Sequence, residues 1–152
     1  MMKQFLFLLG FVVISSCSKG QIPNPILWNY SAKKIADKTY EIHLTATIQN
    51  TWHLYSQKQP ADAIVQPTEI IFQKNPLIKF DGTVKEVGKM QLFKDEKLKL
   101  SANQYANKVD FVQKVKLKAN LKTNIVGTVE YQTCDDKKCL PPKKIDFSIA
   151  LQ

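Results

Sequence analysis

Cys134 and Cys139 are the residues of this chain whose type and spacing could do chemistry: two thiols with four residues between them, within Thr133-Cys134-Asp135-Asp136-Lys137-Lys138-Cys139-Leu140-Pro141-Pro142. Three uses compete for such a pair. A structural disulfide is the plainest one for two cysteines in an exported β-domain. Its worth would be small, because in the chain-entropy model a bridge closing about six residues contributes roughly 2 kcal/mol, against about 4.7 for a loop of a hundred. A short exposed bridge is instead one that is easily reduced and re-formed, which makes thiol-disulfide exchange the better reading. Zinc wants four ligands at close spacing, and the only histidines, His43 and His53, lie far from the pair in sequence. The sequence therefore calls for no metal and no other cofactor.

The neighbours indicate which side of the exchange this pair takes. A self-activating cysteine sits at a helix N-terminus or in a clearly positive setting that stabilises its thiolate. Here Asp135 and Asp136 offset Lys137 and Lys138, and no helix follows. The pair is thus expected to be acted upon by a partner's activated thiol. Strands must position it. In Val126–Gln132, Val129 and Tyr131 alternate with Glu130 and Gln132; in Ile145–Leu151, Ile145, Phe147, Ile149 and Leu151 alternate with Asp146, Ser148 and Ala150. Both flanks read as half-buried β-strands. The cysteines then lie at the end of a hairpin, where Pro141 and Pro142, with fixed φ and no N–H to donate, interrupt the regular ladder. Both sulfurs are expected at a tip.

The run Gly127-Thr-Val-Glu-Tyr131-Gln-Thr-Cys134, followed by Cys139-Leu-Pro141-Pro142, resembles the cysteine hairpin of the N-terminal periplasmic domain of the thiol:disulfide interchange protein DsbD. The likeness spans roughly Ile26 to Leu151, and the Tyr-Gln-x-Cys and Cys-x-Pro-Pro motifs are its specific part. It implies an immunoglobulin-like sandwich and a shuttle. The pair would be reduced by the thioredoxin-like domain of a membrane reductase and would then reduce oxidised periplasmic thiol proteins. Carried over, Cys134 and Cys139 are the redox pair, and Cys139 is the sulfur that forms the mixed disulfide. Trp52-His53-Leu54-Tyr55 is similar to the family's aromatic-rich strand near the cysteines, which makes Tyr55 and His53 site neighbours; Trp52 and Leu54 equally suit the sandwich core. Val84–Phe93 matches the family's cap segment, with Glu86 or Val87 at the place of its tip aromatic, and neither is aromatic. Better-known members carry one more residue between the cysteines and continue into a membrane domain and a thioredoxin-like domain. This chain ends at Gln152, so its reductant is expected in a separate membrane protein.

The N-terminus reads as an export signal over residues 1–16: Lys3, the apolar run Phe5–Ile14, then Ser15-Ser16 ahead of Cys17. The apolar run is too short to span a bilayer, which takes about twenty residues. Ser15-Ser16-Cys17 resembles a bacterial lipoprotein box, making Cys17 a lipidation site and the membrane a partner through its anchor; which membrane is left open. The third cysteine is thereby accounted for, whereas an ordinary signal would leave a stray thiol prone to mispairing. Residues 17–25, with Gly20, Pro23 and Pro25, read as the lipidated cysteine and tether. Residues 26–152 are enough for one core and too few for two comfortable domains.

From Ile26 onward the pattern has period two. Tyr40, Ile42, Leu44, Ala46 and Ile48 share one face of a strand, while Glu41, His43, Thr45 and Thr47 share the wet one, so that His43 reads as a surface histidine. Trp52–Tyr55, Thr68–Phe72, Leu77–Phe80, Met90–Phe93, Leu98–Leu100 and Val109–Leu117 are further short β-like runs, separated by Pro60, Pro67, Pro76, Asp81-Gly82, Gly88 and Asn103. No stretch offers an amphipathic helix. About nine strands with turn signals every ten or so residues describe an all-β, two-sheet antiparallel sandwich. All 22 basic residues are lysine, against 13 acids, and losing Lys3 takes the net charge from +9 to +8. Such a charge favours anionic surfaces or acidic partners, and Lys114, Lys116 and Lys118 read first as one solvated strand face. Without arginine forks or a stacking platform, nucleic acid is not a partner. A second class of function stays open: a non-enzymatic cell-envelope binding module whose hairpin disulfide merely stiffens a recognition loop.

Overall fold

The computed structural model describes residues 24–97 and 99–152, so the export signal, Cys17 and most of the tether lie outside the described residues. Among the described residues nine strands follow one another: β1 Ile26–Ala36, β2 Thr39–Ile48, β3 His53–Tyr55, β4 Glu69–Phe72, β5 Ile78–Asp95, β6 Leu100–Leu117, β7 Thr123–Tyr131, β8 Thr133–Cys134 and β9 Lys143–Leu151. They form two antiparallel sheets, an immunoglobulin-like sandwich with no helix among the described residues. The first sheet runs β1-β2-β6-β3-β8 with β5 on the other side of β6, and the second runs β4-β7-β9.

The period-two faces do what their chemistry dictates. Tyr40, Ile42, Leu44, Ala46 and Ile48 of β2 are all buried, and they meet Val109, Phe111 and Val115 of β6. Val129, Tyr131, Phe147, Ile149 and Leu151 supply the facing layer. Aromatic rings bridge the two sheets: Trp28 lies 5.9 Å from Phe111 and 5.4 Å from Tyr131, centroid to centroid, and Tyr30 lies 5.6 Å from Phe147. Gly127 is required by this packing, since a Cβ there would come within 2.4 Å of the Ile71 carbonyl oxygen and 2.6 Å of the Phe147 ring. On the wet face His43 is engaged, its Nδ1 2.7 Å from Asp110 Oδ2, while Thr45 Oγ1 donates to Asp110 Oδ1 at 2.9 Å.

The strand count agrees with expectation, but its division does not. Ile78–Phe80 and Met90–Phe93 belong to one strand, β5, paired along almost the whole of β6, with Leu77 in the turn before it. The turn signals between them act as bulges: the register slips between Asp81 and Lys85, where Gly82 adopts φ +72°, and again between Gly88 and Met90. Glycine can open either a turn or a bulge, and the partner strand decides which. Likewise Asn103 does not break β6 but pairs with Leu92.

Candidate functional site

The cysteine hairpin changes sheets. β7 and β9 pair in the second sheet as far as Tyr131 and Lys143. The chain then crosses, and β8 adds to the first sheet with Cys134 opposite His53 and Thr133 opposite Leu54. Continued, the β7/β9 register would set Cys134 against Leu140; instead Cys134 pairs with Cys139, to which it is disulfide-bonded. Pro141 and Pro142 lie between this bridge and β9 and absorb the one-residue slip, because neither has an N–H to keep the ladder in step.

The turn is held from within. Asp135 N–H donates to the Lys138 carbonyl at 2.9 Å and Leu140 N–H to the Thr133 carbonyl at 2.8 Å. The Asp135 carboxylate accepts from the backbone N–H groups of Lys137 and Lys138, each at 2.8 Å. Those two donors, helped by the lysine charges, hold its carboxyl below the usual Asp range. The carboxylate is thereby spent on its own turn.

The two sulfur-bearing residues differ sharply in exposure. Cys134 is buried, only 5% exposed, in a small cluster with Tyr55, Ala102 and Val65, while Cys139 is exposed. The expectation of two sulfurs at a tip is thus met by Cys139 alone, because β8 pairs into the first sheet and takes Cys134 with it. Both line a groove of about 370 Å³. Its walls include Tyr55 and His53 from β3, Phe93 at the end of β5, Leu100 and Ala102 at the start of β6, and Ile64 and Val65 from the β3–β4 connection. Tyr55 is almost wholly buried, and that desolvation raises its phenol pKa. On the other side of the hairpin, Leu140, Pro141 and Pro142 line a second groove of about 320 Å³ with Tyr131 and Asn24.

The structure therefore brings Cys134, Cys139, Tyr55 and His53 together and sets Pro141 and Pro142 just behind them. Trp52 and Leu54 pack with the main core. The Val84–Phe93 segment is strand, not loop, and its two tip candidates stand elsewhere. Val87 pairs with Asp110 and is 60% exposed, outside the groove lining. Glu86 accepts from Ser56 Oγ at 2.7 Å, Gln57 N–H at 2.6 Å and the Tyr105 hydroxyl at 2.7 Å, so it ties β5 to the β3–β4 connection and β6. With burial, that carboxylate also raises the Tyr105 pKa. The aromatic at the groove is Phe93, 49% exposed and paired with Ala102, with Ile64 at 78% on the facing connection. Alternation along β5 was legible, but its register on β6, which brings Phe93 to the cysteines, was not.

Residues 22–150 match the family model described as the N-terminal domain of the thiol:disulfide interchange protein DsbD, and the chain belongs to this family. Among curated proteins, none matches the sequence. Of the solved structures, the reduced N-terminal domain of DsbD from Neisseria meningitidis is 14% identical, with a TM-score of 0.46 over 83% of this chain and 85% of that one. The N-terminal periplasmic domain of ScsB from Proteus mirabilis is 17% identical, with a TM-score of 0.49 over 80% of this chain and 44% of that one. The collagen-binding domain of a Staphylococcus aureus adhesin has a TM-score of 0.44 at 8% identity, over 85% of this chain and 99% of that one. At these scores the family assignment rests on the sequence match.

Proposed function

We propose that this chain relays reducing equivalents in the bacterial cell envelope through Cys134 and Cys139. The observation that carries the reading is the asymmetry of the pair, one sulfur-bearing residue exposed and the other buried. A thiolate from the thioredoxin-like domain of a membrane reductase attacks Sγ of Cys139. The Cys134–Cys139 bond breaks, a bond from the donor to Cys139 forms, and Cys134 leaves as a thiolate that takes up a proton. The donor's second thiolate then displaces Cys139, so the donor ends as a disulfide and this pair as two thiols. Towards an oxidised periplasmic client the sequence runs in reverse: Cys139 attacks, and Cys134 resolves the mixed disulfide. Tyr55, His53, Phe93 and Ile64 line the approach and limit which thiols enter. Pro141 and Pro142 hold the chain beyond Cys139 extended and leave that sulfur open on one side. Residues 26–152 form the working domain, which faces the periplasm on a tether lipidated at Cys17.

Two single variants test the assignment of roles against an oxidised thioredoxin-fold client. Cys134→Ala accumulates a mixed disulfide through Cys139, and Cys139→Ala does not. Equal trapping by both would sink the roles, and no trapping by either would sink the relay. A reduction potential below about −300 mV would favour a structural staple in a binding module instead. The anchor is checked separately by intact mass, where an unmodified Cys17 thiol in the envelope-derived protein contradicts it.

A further inference from the structure

An antiparallel bridge directs its main-chain groups in opposite directions. Around the Cys134–Cys139 pair the inward hydrogen bonds belong to the neighbours, Asp135 with Lys138 and Leu140 with Thr133. Ladder alternation then turns the N–H and C=O of Cys139 itself away from Cys134, towards the outside of the hairpin. Among the described residues neither group takes a hydrogen-bond partner, and the residue is exposed. The next outward-facing positions on the same edge are Lys137 and Pro141. Lys137 N–H is already donated to the Asp135 carboxylate, and Pro141 has none. Cys139 is thus the one place on this edge where a strand can both give and take a hydrogen bond.

We propose that an oxidised client docks here by main-chain pairing: an extended, cysteine-bearing segment of the client exchanges two hydrogen bonds with the N–H and C=O of Cys139, a contact the donor's helix-borne thiol does not make. The inference rests on the relay reading and specifies how its partner is held. Directly opposed residues in a hydrogen-bonded antiparallel pair have Cα atoms about 5.5 Å apart, inside the roughly 4.4–6.8 Å range that a disulfide spans. A partner cysteine opposite Cys139 therefore lies within the Cα separation that a mixed disulfide spans. Charge narrows the occupant further. Asp135 and Asp136 offset Lys137 and Lys138 within the turn, and the exposed Lys143 and Lys144 beyond the prolines leave the hairpin net positive, which favours acidic residues beside the partner's cysteine. Pro141 and the self-bonded turn deny pairing to anything longer than this single position.

The test uses the full chain carrying Cys134→Ala and a seven-residue peptide with a central cysteine, acidic ends and its thiol activated as a disulfide with a small thiol. Mixed-disulfide formation is expected to slow about tenfold when the peptide cysteine is N-methylated, the worth of roughly one hydrogen bond, while reaction with a small aromatic disulfide stays unchanged. In the trapped adduct the Cys139 amide should exchange with solvent at least tenfold more slowly than in the free protein. Equal rates for the two peptides, or an adduct whose Cys139 amide is unprotected, overturn the pairing and leave the relay standing. An amide already protected in the free chain also overturns it, for the edge is then filled by the protein's own residues or a second copy. Failure of every peptide and client to form an adduct overturns the relay and the pairing together.

Discussion

Among the described residues the sandwich has two apolar clusters of very different size, and the proposed chemistry sits on the smaller one. The main cluster joins both sheets through Phe111, Leu44, Val109, Val129 and Leu151, all essentially inaccessible, with Trp28 and Tyr30 packed against it. The other consists of Tyr55, Ala102 and Cys134, with Val65 against them. A large interlocked core has one arrangement and resists change. A cluster of four residues under a hairpin adds little to global stability, so the proposed opening and closing of the bridge would not require the sandwich to unfold.

That contrast is broken most directly in the large cluster. Phe111→Ala leaves a cavity between the sheets and is expected to cost about 3–5 kcal/mol in denaturant unfolding. A loss under 1 kcal/mol would mean that the main core does not carry the fold.

Removing the bridge sharpens the comparison from the other side. Replacing both Cys134 and Cys139 by alanine should lower stability by about 2 kcal/mol or less and leave the β-sheet spectrum intact. Loss of folding at ambient temperature would instead mark the disulfide as structural.

The smallest effect is confined to the turn. Because two backbone donors depress the Asp135 pKa in the folded state, its carboxylate stabilises the turn above the ordinary Asp value near 3.9, and that contribution is lost as pH falls through the lower folded value. Amide exchange at Lys137 and Lys138 should therefore accelerate on acidification relative to the main core. In an Asp135→Ala variant this pH dependence should vanish; its persistence would assign the turn's order to something else.

Much of the sandwich was legible in the chain itself, because strand alternation is a local property: each residue of β2, β7 and β9 declares its face by its own side chain. The cysteine pair was legible for a similar reason, since close spacing and the Pro-Pro stop lie within ten residues of one another. Register is different. Whether Gly82 and Gly88 turn the chain or merely bulge it depends on β6, and so the cap segment became strand, Glu86 a half-buried tie, and Phe93 the aromatic at the groove. The burial of Cys134 likewise follows from β8 leaving the second sheet to pair with β3 while it stays bridged to Cys139, a contact between residues about eighty positions apart. Period and spacing state which residues can be buried or can react; only the pairing of distant strands decides which sulfur stands open and what stands beside it.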